Sequence, residues 1–317
     1  MHALVPIDPS SAIAAQHHNL LDQFLTGQLS KSTYKAYKAD LKFFFAFLGI
    51  EDLNINILGK IHFQDIISFR NHLAESNYKR TTINRKLSSL KAFFKMLVAA
   101  GYIEKNPADS ALVRGFKVDD NISGKAIAPQ ALKDISIAIE SEKNDLTRAR
   151  DMAIFQLLTY GGLRRSEVAG VEWNNLTREG AFFVLRLPDT KSGMDQEIKL
   201  QEVVVNDLQQ YRQALVKHGY STDGRAFISL SRNTSHGRPL TDQSINLIMK
   251  KYARKAGVPT KITAHMFRHP CCTLAIEGGA KPQQVQAHLR HKDLKTTMRY
   301  YENRDKLIDN ASDYIQI

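Results

Sequence analysis

The chain has 317 residues, 43% of them hydrophobic and 24% charged, which leaves room for two domains that each bury a core. Lys and Arg outnumber Asp and Glu by 44 to 32, and the net charge of +12 points to a polyanionic partner, either nucleic acid or an anionic membrane surface. No stretch approaches the roughly 18 apolar residues of a membrane span, and the start Met1–Pro9 lacks the basic residues and apolar run of a signal peptide. The expectation is a soluble cytoplasmic protein. Its two cysteines, Cys271 and Cys272, are adjacent. They are too close for an unstrained disulfide and too few for a structural zinc site.

In chain order, residues 1–18 read as a flexible tail and 19–106 as a helical domain. Tyr34, Tyr37, Leu41, Phe44, Phe45 and Leu48 line one face of a helix, and Lys31, Lys35, Lys38 and Lys42 line another. A later helix buries Ile83, Leu87, Leu90, Phe94 and Leu97, and its opposite face holds Arg85, Ser88, Ser89, Ala92 and Lys95. No acidic residue lies between Ser76 and Ile103, whereas Lys79, Arg80, Arg85, Lys86, Lys91 and Lys95 are basic. One lysine stripe alone reads as a solvated face. Two stripes in one domain read as DNA-phosphate contacts, with Arg85 as the candidate for base contact.

Residues 107–128, with Gly115, Asp119, Asp120 and Gly124, read as a linker. The second domain, 129–317, opens with Pro129 at a helix start. It is mostly helical with one strand pair, 181–187 and 196–200, joined by P-D-T-K-S-G-M-D. The predicted class is therefore mainly α with a small β-sheet, an α+β second domain following a helical bundle. No phosphate-binding loop of the G-x-x-x-x-G-K-[ST] type is present, so ATP-driven chemistry is not indicated.

The second domain carries the chemistry. L-T-Y-G-G-L-R-R-S-E supplies Arg164 and Glu167, H-M-F-R-H supplies His265 and Arg268, and L-R-H-K-D-L-K-T-T-M-R-Y-Y supplies His291 and Tyr300. Guanidinium forks match phosphate oxygens, histidines donate to phosphate or move protons, and a tyrosine hydroxyl can attack phosphorus. Phosphodiester cleavage needs a nucleophile, neutralised non-bridging oxygens and a proton for the leaving oxygen. A site rich in cations can meet those needs without a metal or cofactor. His265 and Arg268 share a helix face, with Thr263 as the expected N-cap.

The order Arg…His-x-x-Arg…His…Tyr resembles the tyrosine recombinases, the phage-integrase and Xer-type family, over roughly residues 20–310. The resemblance implies an N-terminal SAM-like core-binding bundle and a C-terminal catalytic domain that clamp duplex DNA. In its terms Arg164 (chosen over Arg165 by the G-L-R-x-S-E frame) and Arg268 grip the scissile phosphate, and Glu167 orients Arg164 or a histidine. His265 is an acid/base group, and His291 donates to phosphate and packs on the nucleophile's helix. Lys191 in the strand-pair turn protonates the leaving 5′ oxygen, with Lys199 a poorer choice. The T-T-x-x-Y spacing makes Tyr300 the nucleophile and leaves Tyr301 as an anchor. The implied partners are double-stranded DNA with specific recombination sites, sister protomers in a tetramer, and accessory DNA-bending proteins. The apolar stripe Leu307, Ile308, Ala311, Tyr314 and Ile315 suits docking on a neighbour. Two residues depart from the pattern. Pro270, read as lying inside a helix that starts near Ala264, is expected to cost about 3 kcal/mol or a kink. Arg290 stands where glycine is common and is a further candidate phosphate contact. The alternatives are a type IB topoisomerase-like enzyme and a DNA-binding protein that has lost cleavage.

Overall fold

The computed structural model describes residues 20–27, 30–51, 53–118, 127–188, 195–231, 235–258 and 262–308, by backbone alone at 31 and 302–308. The chain divides into two compact units, residues 1–120 and 121–317.

The first unit is helical: α1 (Leu20–Thr26), α2 (Lys31–Phe47), α3 (Ile55–Leu58), α4 (Phe63–Glu75) and α5 (Arg80–Ala99). Its core is an aromatic lattice. Phe44 meets Phe69 edge-on at 5.1 Å between centroids, and Phe93 meets Phe24 and Phe94 at 5.4 Å each. Asn54 caps α3 by accepting from the Ile57 N–H, and Asp65 caps α4 by accepting from the His62 N–H. At the end of α5, Gly101 adopts φ +74 so that the N–H groups of Tyr102 and Gly101 close back onto the carbonyls of Leu97 and Val98.

The chain beyond α5 belongs to this unit further than its composition indicates. Ala108 and Val113 are fully buried in the first core. The Asn84 amide donates to the Phe116 carbonyl at 2.8 Å and accepts from its N–H at 2.9 Å, and Arg70 donates to the Arg114 carbonyl. Part of the stretch read above as linker, up to Phe116, is therefore anchored to the first core.

The second unit holds α6 (Pro129–Glu140), α7 (Asp145–Thr159), α8 (Arg165–Gly170), β1 (Leu176–Glu179), β2 (Phe182–Leu187), β3 (Gln196–Leu200), α9 (Glu202–Lys217) and α10 (Asp242–Lys255). A 3-10 turn Ala264–Phe267 follows, then α11 (Arg268–Glu277), α12 (Pro282–Leu289) and α13 (Leu294–Ile308). The strand pair is a three-stranded antiparallel sheet in the order β1-β2-β3, with Leu185 opposite Leu176 and Ile198. The first strand escaped the sequence reading because Leu-Thr-Arg-Glu has one apolar residue in four. Helix α7 forms the centre of the unit, with Ala153, Ile154, Leu157 and Leu158 fully buried. Asn144 caps it by accepting from the Thr147 N–H. The loop after α7 carries Arg164, α11 carries Arg268, and α13 carries Tyr300.

Candidate active site

Arg164 leads into α8, and Glu167 reaches back from the first turn of that helix. Its carboxylate accepts from the Arg164 backbone N–H at 2.7 Å and from Arg164 Nη1 at 2.6 Å. A second cation completes the pair, since Arg290 Nη2 lies 2.6 Å from Glu167 Oε2. Burial alone would raise the Glu167 pKa. The Arg290 charge and the bonds from Arg164 outweigh it and hold the carboxyl below its usual range. Arg290 ends α12 in a left-handed conformation, φ 54, and its side chain is 4% exposed. It also donates to the His288 carbonyl. The candidate phosphate contact is thus a buried partner of Glu167.

Arg268 is 4% exposed. Its Nη1 donates to the Gly162 carbonyl at 2.6 Å, while its buried Nη2 has no protein partner. Gly162 is in a left-handed conformation (φ +60), and an added Cβ would fall 2.5 Å from a Leu289 methyl and 3.1 Å from the Cys271 sulfur. The G-G run before Arg164 is therefore required by backbone shape and by close approach. Burial, then the Arg164 and Arg290 charges, lower the Arg268 pKa to about 10, so it stays cationic at neutral pH.

The helix expected from Ala264 is two elements. The 3-10 turn Ala264–Phe267 carries His265, and α11 begins at Arg268. Thr263 makes no side-chain cap; the Ala264 N–H is taken instead by Asn246 Oδ1 at 2.9 Å. Pro270 is the third residue of α11. It lies in the first turn of that helix, where proline is tolerated better than in a helix interior.

His265, on the 3-10 turn, is exposed. Desolvation of its ring, then Arg268 and Arg164, lower its pKa. His291 hydrogen-bonds through Nδ1 to the buried Thr297 hydroxyl of α13 at 2.9 Å, and burial followed by the Arg268 and Arg164 charges lowers its pKa to about 4. It is held neutral. The half-buried Tyr300 hydroxyl meets His269 Nδ1, and burial, with Cys272 next, raises the phenol pKa. The next tyrosine faces elsewhere, the Tyr301 hydroxyl donating to the Ala280 carbonyl. The motif H-M-F-R-H contains His269 but gives it no role, because only the packing of α13 on α11 brings it to Tyr300. Lys191 and the stripe residues 311–315 lie outside the described residues, as do the side chains of Leu307 and Ile308. Lys199, on β3, stacks its ammonium over the Phe182 ring at 4.2 Å. Among the described residues no three His, Cys, Asp or Glu side chains converge as a metal site, and no helix is long and apolar enough to cross a membrane.

In the first unit Lys35, Lys42, Lys79, Arg80 and Lys95 are exposed. Lys38 is half-buried over Tyr34, Lys91 is half-buried, and Lys31 is described by backbone alone. Lys86 departs from the stripe. It is 8% exposed, with its ammonium 3.1 Å from the buried Asp40 carboxylate and 4.5 Å from the Phe43 ring centre. Ser89 donates to the same carboxylate at 2.8 Å, and Arg85 pairs with it from a half-exposed position. An acidic residue 46 positions earlier in sequence turns this lysine inward, which periodicity on one helix does not reveal.

Residues 126–306 match the model of the phage integrase family, and residues 20–101 match that of the phage integrase N-terminal SAM-like domain. The chain is 30% identical to tyrosine recombinase XerC of Leptospira interrogans over 281 residues, 86% of this chain and 83% of that one. It is 26% identical to tyrosine recombinase XerD of Shewanella oneidensis, over 89% and 91% of the two chains. Its fold matches that of a lambda integrase dimer bound to a COC′ core site, with TM-score 0.68 and 18% identity over 90% and 95% of the chains. It also matches the Tn1549 transposon integrase in complex with circular intermediate DNA, with TM-score 0.65 and 21% identity over 94% and 98%. The chain belongs to the phage integrase family, whose members are tyrosine recombinases. It is a DNA-cleaving and rejoining transesterase. None of these relatives is a topoisomerase.

Proposed function

We propose that this recombinase cuts duplex DNA at specific sites with Tyr300 as the nucleophile, leaving a 3′-phosphotyrosine and a 5′-hydroxyl. A 5′-hydroxyl from a second duplex then attacks that bond. The energy of the broken phosphodiester is kept in the phosphotyrosine, so no ATP is needed. The observation that carries the reading is the pairing of a buried guanidinium that has one partnerless Nη2 with a tyrosine hydroxyl on a neighbouring helix. Burial without a protein partner is costly unless a ligand supplies one, and a phosphate oxygen fits. Arg164, aligned by Glu167, is the second clamp, and His265 and His291 are further donors to phosphate. Lys191 is assigned the proton for the leaving oxygen. The exposed Lys35, Lys42, Lys79, Arg80 and Lys95 track the backbone of the duplex, and Arg85 reads a base. The lambda and Tn1549 relatives are bound to DNA, which supports a duplex partner. A tetramer that joins two duplexes, helped by DNA-bending proteins and acting in the cytoplasm, completes the proposal.

The test is adduct formation on a nicked duplex carrying a site selected from random DNA by binding. We expect an SDS-resistant protein–DNA adduct that forms in excess EDTA, is absent for Tyr300→Phe and persists for Tyr301→Phe. An adduct retained by Tyr300→Phe, or one lost in EDTA and restored by Mg²⁺, overturns the reading.

A further inference from the structure

We propose that His269 is the general base that takes the Tyr300 proton, and the acid that returns it when the strand is rejoined. The inference rests on Tyr300 being the nucleophile and deepens that reading by naming where its proton goes. Resemblance to the family gives acid/base work to His265. The geometry gives this proton to the other histidine of H-M-F-R-H.

Three observations carry it. First, His269 Nδ1 is in hydrogen-bond contact with the Tyr300 hydroxyl, and the two rings lie 5.6 Å apart between centroids at an interplanar angle of 35°. The phenol is the only certain proton donor of that contact when the imidazole is neutral and carries its hydrogen on Nε2. Second, His269 follows Arg268 directly at the start of α11, so one helical turn delivers both the phosphate clamp and the proton acceptor. Third, the other groups whose charges reach the hydroxyl cannot accept its proton. Burial pushes the Cys272 thiol up to about 12, so it stays protonated, and Arg268 is already a cation. His265 meets the His269 ring, edge-on at 5.6 Å, rather than the hydroxyl.

A buried phenol is a poor nucleophile until its proton has an acceptor. In cleavage the Tyr300 O–H proton passes to His269 Nδ1 as the Tyr300 oxygen bonds to phosphorus and the 5′ oxygen leaves with a proton from the group assigned to it. In rejoining, the incoming 5′-hydroxyl returns its proton to that same group and bonds to phosphorus. The Tyr300–phosphorus bond breaks, and His269 returns the proton to the phenolate. No oxidant, metal or co-reactant enters the balance.

The experiment measures adduct formation by the full chain at saturating nicked duplex, with His269→Asn as the main variant. The Asn Oδ1 mimics Nδ1 as an acceptor without being basic. Each protein is made with Tyr or with a fluorinated tyrosine at position 300, whose phenol is more acidic. We expect His269→Asn to slow adduct formation about 100-fold or more, within the range of general base catalysis, with DNA affinity and melting temperature kept. Fluorination should restore at least ten-fold in the variant and much less in the native protein. If His269→Asn stays within three-fold of the native rate, or if fluorination helps both proteins equally, His269 is not the base. His265→Asn serves as the comparison and should gain nothing from fluorination. Should Tyr300→Phe itself still form the adduct, the nucleophile reading falls instead, which separates the two failures.

Discussion

Asp40 in the first unit and Glu167 in the second are built alike and left with different charge. Each carboxylate holds two cations, one turned inward and one turned out: Lys86 and Arg85 on Asp40, Arg290 and Arg164 on Glu167. At Asp40 the Ser89 hydroxyl adds a further donor to the carboxylate, and one guanidinium is left facing solvent at a fixed place. At Glu167 a third guanidinium, Arg268, lies within electrostatic reach and spends only one nitrogen on a backbone carbonyl. The first arrangement presents one aimed cation. The second concentrates three guanidinium groups around one carboxylate. The same local device thus serves position in one unit and charge in the other.

The largest contrast lies in removing one guanidinium from each site. Arg268→Ala should lower adduct formation about 100- to 1000-fold at saturating DNA, as loss of one oxyanion donor does elsewhere. Arg85→Ala should leave that rate intact and instead relax the preference between sites, read by competition among duplexes. A rate loss for Arg85→Ala as large as that for Arg268→Ala would erase the distinction. Removing the first carboxylate comes next. Asp40→Ala strands the buried Lys86 ammonium and should cost about 3 kcal/mol of stability in urea unfolding, without slowing the cleavage step of the folded protein. Smaller effects appear in salt titrations. Lys79→Ala and Lys95→Ala should each flatten log K against log salt by about 0.9, whereas Lys86→Met should leave the slope unchanged because its ammonium already faces Asp40. An equal loss of slope for Lys86→Met would return that residue to the DNA face. The last contrast is in pH dependence. The His291 pKa is about 4 in the folded chain against a reference of 6.5, so the unfolded chain binds more protons between those values. Stability should fall as pH drops from about 6.5 to about 4, and His291→Gln should make that decline shallower.

Helix periods and short motifs carried much of this molecule. Leu41, Phe44, Phe45, Leu87, Leu90 and Phe94 repeat at helical spacing and are buried, and the family frames name Arg164, Arg268 and Tyr300 without a structure. What stayed hidden is long-range pairing. Asp40 lies 46 residues from Lys86, and Glu167 lies 123 from Arg290. Neither separation leaves a local pattern, so Lys86 read as a surface lysine and Arg290 as a phosphate contact. Pro270 read as a defect because the break between the 3-10 turn and α11 is set by tertiary packing. The packing after α5 is hidden for a related reason. Asn84 reaches across 32 residues to bind the Phe116 backbone, and composition does not register one side chain.

That clip decides how the molecule can be dissected. Gly115 sits so near Asn84 that a Cβ there would fall 2.6 Å from its amide oxygen, so a larger residue at this position would push the Asn84 side chain off the clip. A fragment cut after residue 106 would remove Ala108 and Val113 from the core and leave the Asn84 amide open to water. A protease probing the intact chain should spare residues 107–116, and the shortest stable DNA-binding fragment should run to about residue 118. Any exchange of N-terminal domains between related recombinases should place its seam after the clip.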